Sequence, residues 1–281
     1  CNIHYQFIGS YTAAGTGPAP DGGNYSVLQA AAKRDMGVFI ISPTDKGGCL
    51  YKPSRRYFSN CLPLTPIAYN NLWLWGHSQI HTLVVGAARP SDFDEHVRAA
   101  MLLSDPNTTM IVKNIEKKFY DQRDSVMGNS FKESWFYGLP DAWQNAEGVP
   151  VAHFYWLWWI VKSWGMYEYA VARYNNIISN QKEWDDNKKA QENKKKFNFV
   201  PGVPYRPERH KQFVQSLECL GDRKQEVLDA IIELHHWCAD KGIEKRAPSQ
   251  VSEVEAKYPG LTKYWKQAVD LQPNVPFPER D

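Results

Sequence analysis

The chain is poor in several features that would have announced a function. It has five cysteines in 281 residues, at positions 1, 49, 61, 219 and 238, odd in number, widely spaced and without a CxxC pair. That pattern offers neither a disulfide framework nor a zinc or iron–sulfur ligand set, and a reducing intracellular compartment, cytoplasm or an organelle such as a chloroplast or mitochondrion, is the expectation. Charge of one sign is missing too. Lys and Arg number 33 against 31 Asp and Glu, a net +2, too mild for an electrostatic case for nucleic acid. No long hydrophobic run exists. The longest, Val149 to Val161, falls short of the roughly 20 residues a spanning helix needs, and His153 interrupts it, so no transmembrane segment is predicted. There are no internal repeats. What the chain does have is aromatic surface, 11 Trp, 15 Tyr and 12 Phe, which must be buried, docked or stacked.

The first hundred residues alternate between strand and helix patterns. Asn2 to Gly9 reads as a short strand, and Asn24 to Arg34 carries apolar residues at helical spacing (Val27, Leu28, Ala31, Ala32). GVFIIS from Gly37 is apolar on both faces, the pattern of a parallel strand covered on each side. Pro63 to His77 predicts a helix, Gln79 to Val85 a third strand, and Ser91, with Asp94 three residues on, a helix opening at capping-box spacing. Parallel neighbours need a crossover helix between them, so this alternation predicts a parallel α/β sheet. Beyond Ser104 the patterns are helical: Asn107 to Gln122, a Trp-rich stretch from Val149 to Asn180, Arg209 to Leu217, Asp222 to Lys241, and two short helices from Ser249. Gln181 to Lys196 mixes lysines with acids and reads as a solvated face or loop. The Trp156, Trp158, Trp159 and Trp164 group predicts a helix buried nearly all round, inside a helical layer or against another subunit.

Two loops fall at C-terminal strand ends, the edge at which (β/α) barrels build their sites. One is Ser42-Pro43-Thr44-Asp45-Lys46-Gly47-Gly48, and the other is Gly86-Ala87-Ala88-Arg89-Pro90-Ser91, opening onto a helix. Glycines admit backbone amides to an anion while Lys46 and Arg89 add full charge, yet a glycine turn after a strand is most often only a turn. His235 and Cys238 share a helix face with Val227, Leu228 and Ile231 and read as core rather than as metal ligands. His4 and Tyr5 lie in the first strand, where a structural role is the commoner reading and a place near a substrate the other.

The segments SPTDKGG and PLTPIAYNNLWLWGHSQIHTLVVGAARPSDFDEHV together resemble the closing part of an aldo/keto reductase, a family of NADP(H)-dependent oxidoreductases on an eight-stranded (β/α) barrel. ESWFYGLPDAW and the Trp-rich stretch are similar to the helical extension of a subfamily that often carries an iron–sulfur segment, and the resemblance spans about Asn2 to Asn176. It implies an α/β fold made of the last three strand–helix units of a (β/α)8 TIM-type barrel over 1–104, a helical extension over 105–180, a charged and Pro-containing linker over 181–208 and a helical segment over 209–281. It also implies NADP(H) as cofactor, with Asn2 on the nicotinamide carboxamide. Ser42, Pro43, Thr44, Lys46 and Gly47 would form the pyrophosphate loop, and Gly86, Ala87 and Arg89 the phosphate turn. Asp92, Glu95 and His96 would lie near the adenine. The chain departs from the family at Ile41, where many members stack an aromatic ring, at Ala88, where many carry a polar or basic residue, and at His96, where Asn is usual. The family's cysteine cluster has no counterpart, so neither an iron–sulfur cluster nor a metal is expected. The family's catalytic Asp, Tyr, Lys and His lie on earlier strands and have no counterpart either. The chain is therefore expected to be non-catalytic by itself and to serve as an accessory subunit. The other reading is an NADP(H)-dependent carbonyl reductase without its N-terminal half. Three parallel strands leave two bare edges, so a second polypeptide or upstream sequence is expected to complete the sheet. The Trp-rich helix and the tail Gln272 to Asp281 are the expected docking surfaces.

Overall fold

A computed structural model describes residues 1–9, 24–46, 48–87, 89–128, 131, 135–186, 202–239, 243–245, 257 and 271–273. Its opening part alternates as the sequence predicts: β1 (Asn2–Ile3), α1 (Tyr25–Ala32), β2 (Phe39–Ile41), α2 (Arg55–Cys61), α3 (Pro66–Trp75), β3 (Thr82–Val84) and α4 (Ser91–Leu102). The three strands form one parallel sheet in the order β1-β2-β3. Helices then dominate: α5 (Thr108–Met127), α6 (Val151–Trp164), α7 (Tyr167–Asp186), α8 (His210–Ser216) and α9 (Lys224–Ala239). A two-stranded antiparallel pair, β4 (Ile243–Lys245) with β5 (Leu271–Pro273), completes the described elements. The chain is thus α/β and mostly helical, and among the described residues its parallel sheet has three strands and does not close into a barrel.

Register decides what each face of the sheet meets. Ile3 pairs with Ile40 and Ile40 with Leu83, and this row lies against the core, with Ile40 fully buried. The alternate row, Asn2, Phe39 and Thr82, followed by Ile41 and Val84, points the other way, and there Phe39 is 42% and Val84 47% exposed. Side chains alternate across a strand, so a parallel sheet is normally apolar on both sides because helices cover both. Here one face lacks cover among the described residues.

Several elements differ from the sequence reading. β1 is two residues long rather than eight, because β2 offers only three residues to pair with, and Tyr5 to Ile8 turn into the core instead. The helix expected from Pro63 is preceded by an unforeseen one, α2, whose Ser54 Oγ accepts from Tyr57 N at 3.1 Å. Thr65 caps α3 in the same way, with Pro66 in the first turn. α4 opens on Pro90 without a side-chain cap, and Asp92, not the Ser91–Asp94 spacing, satisfies the nearby amide of Arg89 at 2.9 Å. The Trp-rich stretch is two helices broken at Gly165, whose φ of +69° is left-handed and whose missing Cβ would lie 2.8 Å from Ser54 Oγ.

α6 explains the aromatic excess. It packs between α5, α7 and α9, and every residue from Val151 to Val161 is buried, as are Ser163 and Trp164. Trp156, Trp159 and Trp164 are essentially inaccessible, and Trp164 stands edge-to-face on Trp159 at 4.9 Å and stacks on Phe7 at 5.4 Å. The Trp-rich helix is therefore filled by the chain's own core, which corrects its expected role as a docking surface. The rest of the other expected surface, the tail beyond Pro273, lies outside the described residues, as do the mixed charge run beyond Asp186 and, except for Lys257, the two short helices from Ser249. No helix among the described residues is long and apolar enough to cross a membrane.

Candidate functional site

The sheet ends its strands at one edge, and that edge gathers two polar clusters. The first joins the tips of β1 and β2. Half-buried His4 follows Ile3; its Nδ1 lies 3.1 Å from the Ile41 carbonyl, and its Nε2 lies 3.2 Å from Lys46 Nζ. A carbonyl only accepts, so Nδ1 carries the proton and Nε2 offers its lone pair to the ammonium. Burial first, then Lys46, then Arg173 hold the His4 imidazole below its usual pKa, against the opposing pull of the Ile41 carbonyl. Beside Lys46, Asp45 receives the Tyr51 hydroxyl at 2.9 Å and the Arg173 guanidinium at 3.6 Å. Arg173 comes from α7 with its side chain only 7% exposed, and it lies over the Tyr169 ring at 5.1 Å. Cys49 is buried beside Asp45 and its thiol is pushed up to about 11, chiefly by burial, which makes it a poor nucleophile.

The β2 loop does not present an open amide nest. The amides of Lys46, Gly48, Cys49 and Leu50 donate to the carbonyls of Ser42, Asp45, Asp45 and Thr44 within the loop itself. Ser42 adopts a φ of +53°, an uncommon left-handed conformation for a residue with a Cβ, so the loop stores backbone strain at the strand tip. Pro43 is buried with its carbonyl near Asn70 Nδ2 at 3.3 Å, and buried Thr44 has no hydrogen-bond partner for its hydroxyl among the described residues. Gly47 and Ala88 lie outside the described residues. Asn2 is exposed on the uncovered face.

The second cluster stands where β3 runs into α4. Gly86 and Ala87 are exposed, and a Cβ on Gly86 would meet nothing within 4 Å, so the protein's own packing does not require a glycine there. Arg89 folds back onto buried Asp92, with NH2 at 2.9 Å from Oδ1, and donates to the Tyr51 carbonyl at 3.0 Å. Glu95 and His96 are buried against α3, Glu95 accepting from the Thr65 hydroxyl and His96 Nδ1 lying 2.7 Å from Asn71 Nδ2. Burial lowers the His96 pKa, offset in part by the Gly86 carbonyl and the Asp92 and Glu95 carboxylates.

The residues predicted from sequence are thus brought together in two groups rather than one. Tyr51 links them, its hydroxyl on Asp45 and its carbonyl on Arg89. Sequence reasoning missed Tyr51, Asp45 as a partner and Arg173. The trace of Arg173 in the sequence was an arginine within a largely aromatic and aliphatic run, YAVARY. Among the described residues no group of three or more His, Cys, Asp or Glu could hold a metal, and His235 is instead hydrogen-bonded to the Tyr174 hydroxyl at 2.6 Å.

No protein-family model, curated protein or solved structure matches the chain.

Proposed function

We propose that the chain is a divergent aldo/keto reductase-like protein that is non-catalytic by itself and serves as an accessory subunit, its sheet completed by further strand–helix units of a larger assembly. The observation that carries this reading is the face of the parallel sheet left without cover among the described residues, with Phe39 and Val84 exposed on it and no described strand on the outer edge of β1 or β3. A parallel sheet this small buries too little on its own and presents unpaired amides and carbonyls at both edges, and neighbouring strands and helices supply both deficits. The first strand-tip cluster does hold a Tyr, a Lys, a His and an Asp, but the Tyr51 hydroxyl donates to Asp45 while Lys46 lies on His4, and burial first, then Cys49 and Asp45, raise the Tyr51 pKa, the opposite of what a tyrosine that protonates a carbonyl needs.

A steady-state assay tests the reading. Purified chain with NADPH and a panel of aldehydes, ketones and quinones is expected to leave the cofactor unoxidised above the buffer rate. Turnover on any of them removes the accessory reading.

A second reading, an NADP(H)-dependent oxidoreductase lacking its N-terminal half, draws on the strained Ser42 loop and on the placement of Lys46 and Arg89 at adjoining strand ends. The residues fit the cofactor's anionic part only after rearrangement, since Arg89 is held by Asp92 and the loop amides are spent internally. Quenching of tryptophan fluorescence by NADPH but not by NADH supports this reading, and absence of quenching by either at about millimolar cofactor removes it.

A further inference from the structure

The joint between α3 and α4 is built on a buried histidine and a buried amide. His96 on α4 is 8% exposed, and its Nδ1 lies 2.7 Å from Nδ2 of Asn71, which is fully buried on α3. An amide nitrogen only donates, so His96 Nδ1 accepts and the neutral ring carries its proton on Nε2. Three buried polar atoms here lack a hydrogen bond among the described residues: Asn71 Oδ1 and Glu95 Oε1, which accept, and His96 Nε2, which in this tautomer donates. Acceptors outnumber donors, so one added proton on the ring meets a deficit already built in. The surrounding charges favour it. The Gly86 carbonyl at the exit of β3, then Asp92 and Glu95 on α4 itself, pull the ring toward its charged form. From α3 come only uncharged groups, Asn71 and the Thr65 hydroxyl that donates to Glu95. The cation of the β3–α4 turn, Arg89, is bound to Asp92, and Phe93 adds a ring edge at 6.3 Å.

We propose that His96 and Asn71 form a proton-operated catch between α3 and α4, in which uptake of one proton by His96 turns the Asn71 amide end for end. The proton comes from solvent and forms an N–H bond at His96 Nδ1. The hydrogen bond from Asn71 Nδ2 to that nitrogen is given up, and His96 Nδ1–H donates to Asn71 Oδ1 in its place. No other bond changes. The two ends of a primary amide are nearly equal in size, so the turn fits the packed joint, and it replaces a neutral hydrogen bond by a charge-assisted one. Burial holds the ring below its usual pKa, so the neutral arrangement is present at neutral pH and the charged one is reached as pH falls below about 6.5. The His96 contribution to stability is therefore complete above about 6.5 and declines as pH falls through the folded value, and the new bond limits that decline. The catch goes beyond the accessory-subunit reading and does not rest on it.

Side-chain nitrogen NMR spectra of the full chain, recorded from about pH 8 to about pH 5, read both halves of the exchange. At the upper end His96 is expected in the neutral Nε2–H form with the Asn71 amide protons against its ring. Through a midpoint below 6.5 the ring should become imidazolium and that contact should be lost, while the indole signals of Trp156, Trp159 and Trp164 stay in place and show the fold intact. Asn71→Asp offers an oxygen at either end, so it should raise the proton affinity of His96 by about tenfold or more. Should that variant fail to fold, the spectra of the unmodified chain decide alone. A neutral ring in the Nδ1–H form, an Asn71 contact that is the same in both protonation states, or a His96 that stays neutral until the fold is lost overturns the proposal. So does an unchanged His96 midpoint in folded Asn71→Asp.

Discussion

His153 sits in the first turn of α6, wholly buried, with neither ring nitrogen hydrogen-bonded among the described residues and its pKa driven to about 3 by burial and by Arg173. The unfolded chain binds a proton there near 6.5 and the folded chain does not, so stability is expected to fall as pH drops below about 6.5, by up to about 1.4 kcal/mol per unit. His153→Leu should remove that slope and change stability at neutral pH by less than about 1.5 kcal/mol, as urea unfolding at pH 7 and pH 5 will show. Glu147 works in a lower window. Its hydrogen bond from Arg209, at 2.8 Å from NH2, outweighs burial and lowers its pKa, so its contribution is present above about 4.5 and lost as pH falls through the folded value. Glu147→Gln should therefore weaken the chain at neutral pH and leave it less sensitive to acid below pH 4.5, read from the same denaturation curves. At this scale the sequence yielded the cations at the strand tips, Lys46 and Arg89, because each follows an apolar run and a turn. It concealed Arg173, over a hundred residues distant from Asp45, because proximity in the fold has no local signature.

Between residues and the whole, the join of α2 to the Trp-rich pair depends on Ser54, which caps α2 and also donates to the Trp164 carbonyl at 3.1 Å. Ser54→Ala removes both bonds at a buried position and is expected to cost about 1–3 kcal/mol. Gly165→Ala meets Ser54 Oγ and a left-handed backbone together, and should cost about as much. Trp156→Ala, which empties a fully buried indole and frees the Ile8 carbonyl that its Nε1 reaches at 2.9 Å, should cost about 3–5 kcal/mol. Thermal or denaturant midpoints rank the three, with Trp156→Ala the most damaging. The helices with a one-sided or all-round apolar pattern were legible in advance; α2 was not, since RRYFSNC has no such period and is helical because its cap and its burial against α3 and α5 make it so. The break at Gly165 was hidden because apolar residues continue through Met166 and Tyr169 into α7.

For the whole molecule, the parallel alternation of strands and helices was readable from sequence, while the open face was not, because GVFIIS reads as covered on both sides. Phe39 and Val84 carry the contradiction: apolar, in a parallel sheet, and exposed. On the proposed reading, this is the face on which the further strand–helix units of the assembly dock. Phe39→Asp together with Val84→Asp is expected to leave the chain's own stability within about 1 kcal/mol while abolishing assembly through this face, checked by unfolding and by light scattering. The most direct test of an incomplete sheet is amide hydrogen exchange on the chain at concentrations where it is monomeric. The outward amides of β1 and β3 are expected to exchange orders of magnitude faster than the amides of α6, which open only with the whole fold. Protection of both edge strands equal to that of α6, in the monomer, would contradict the account.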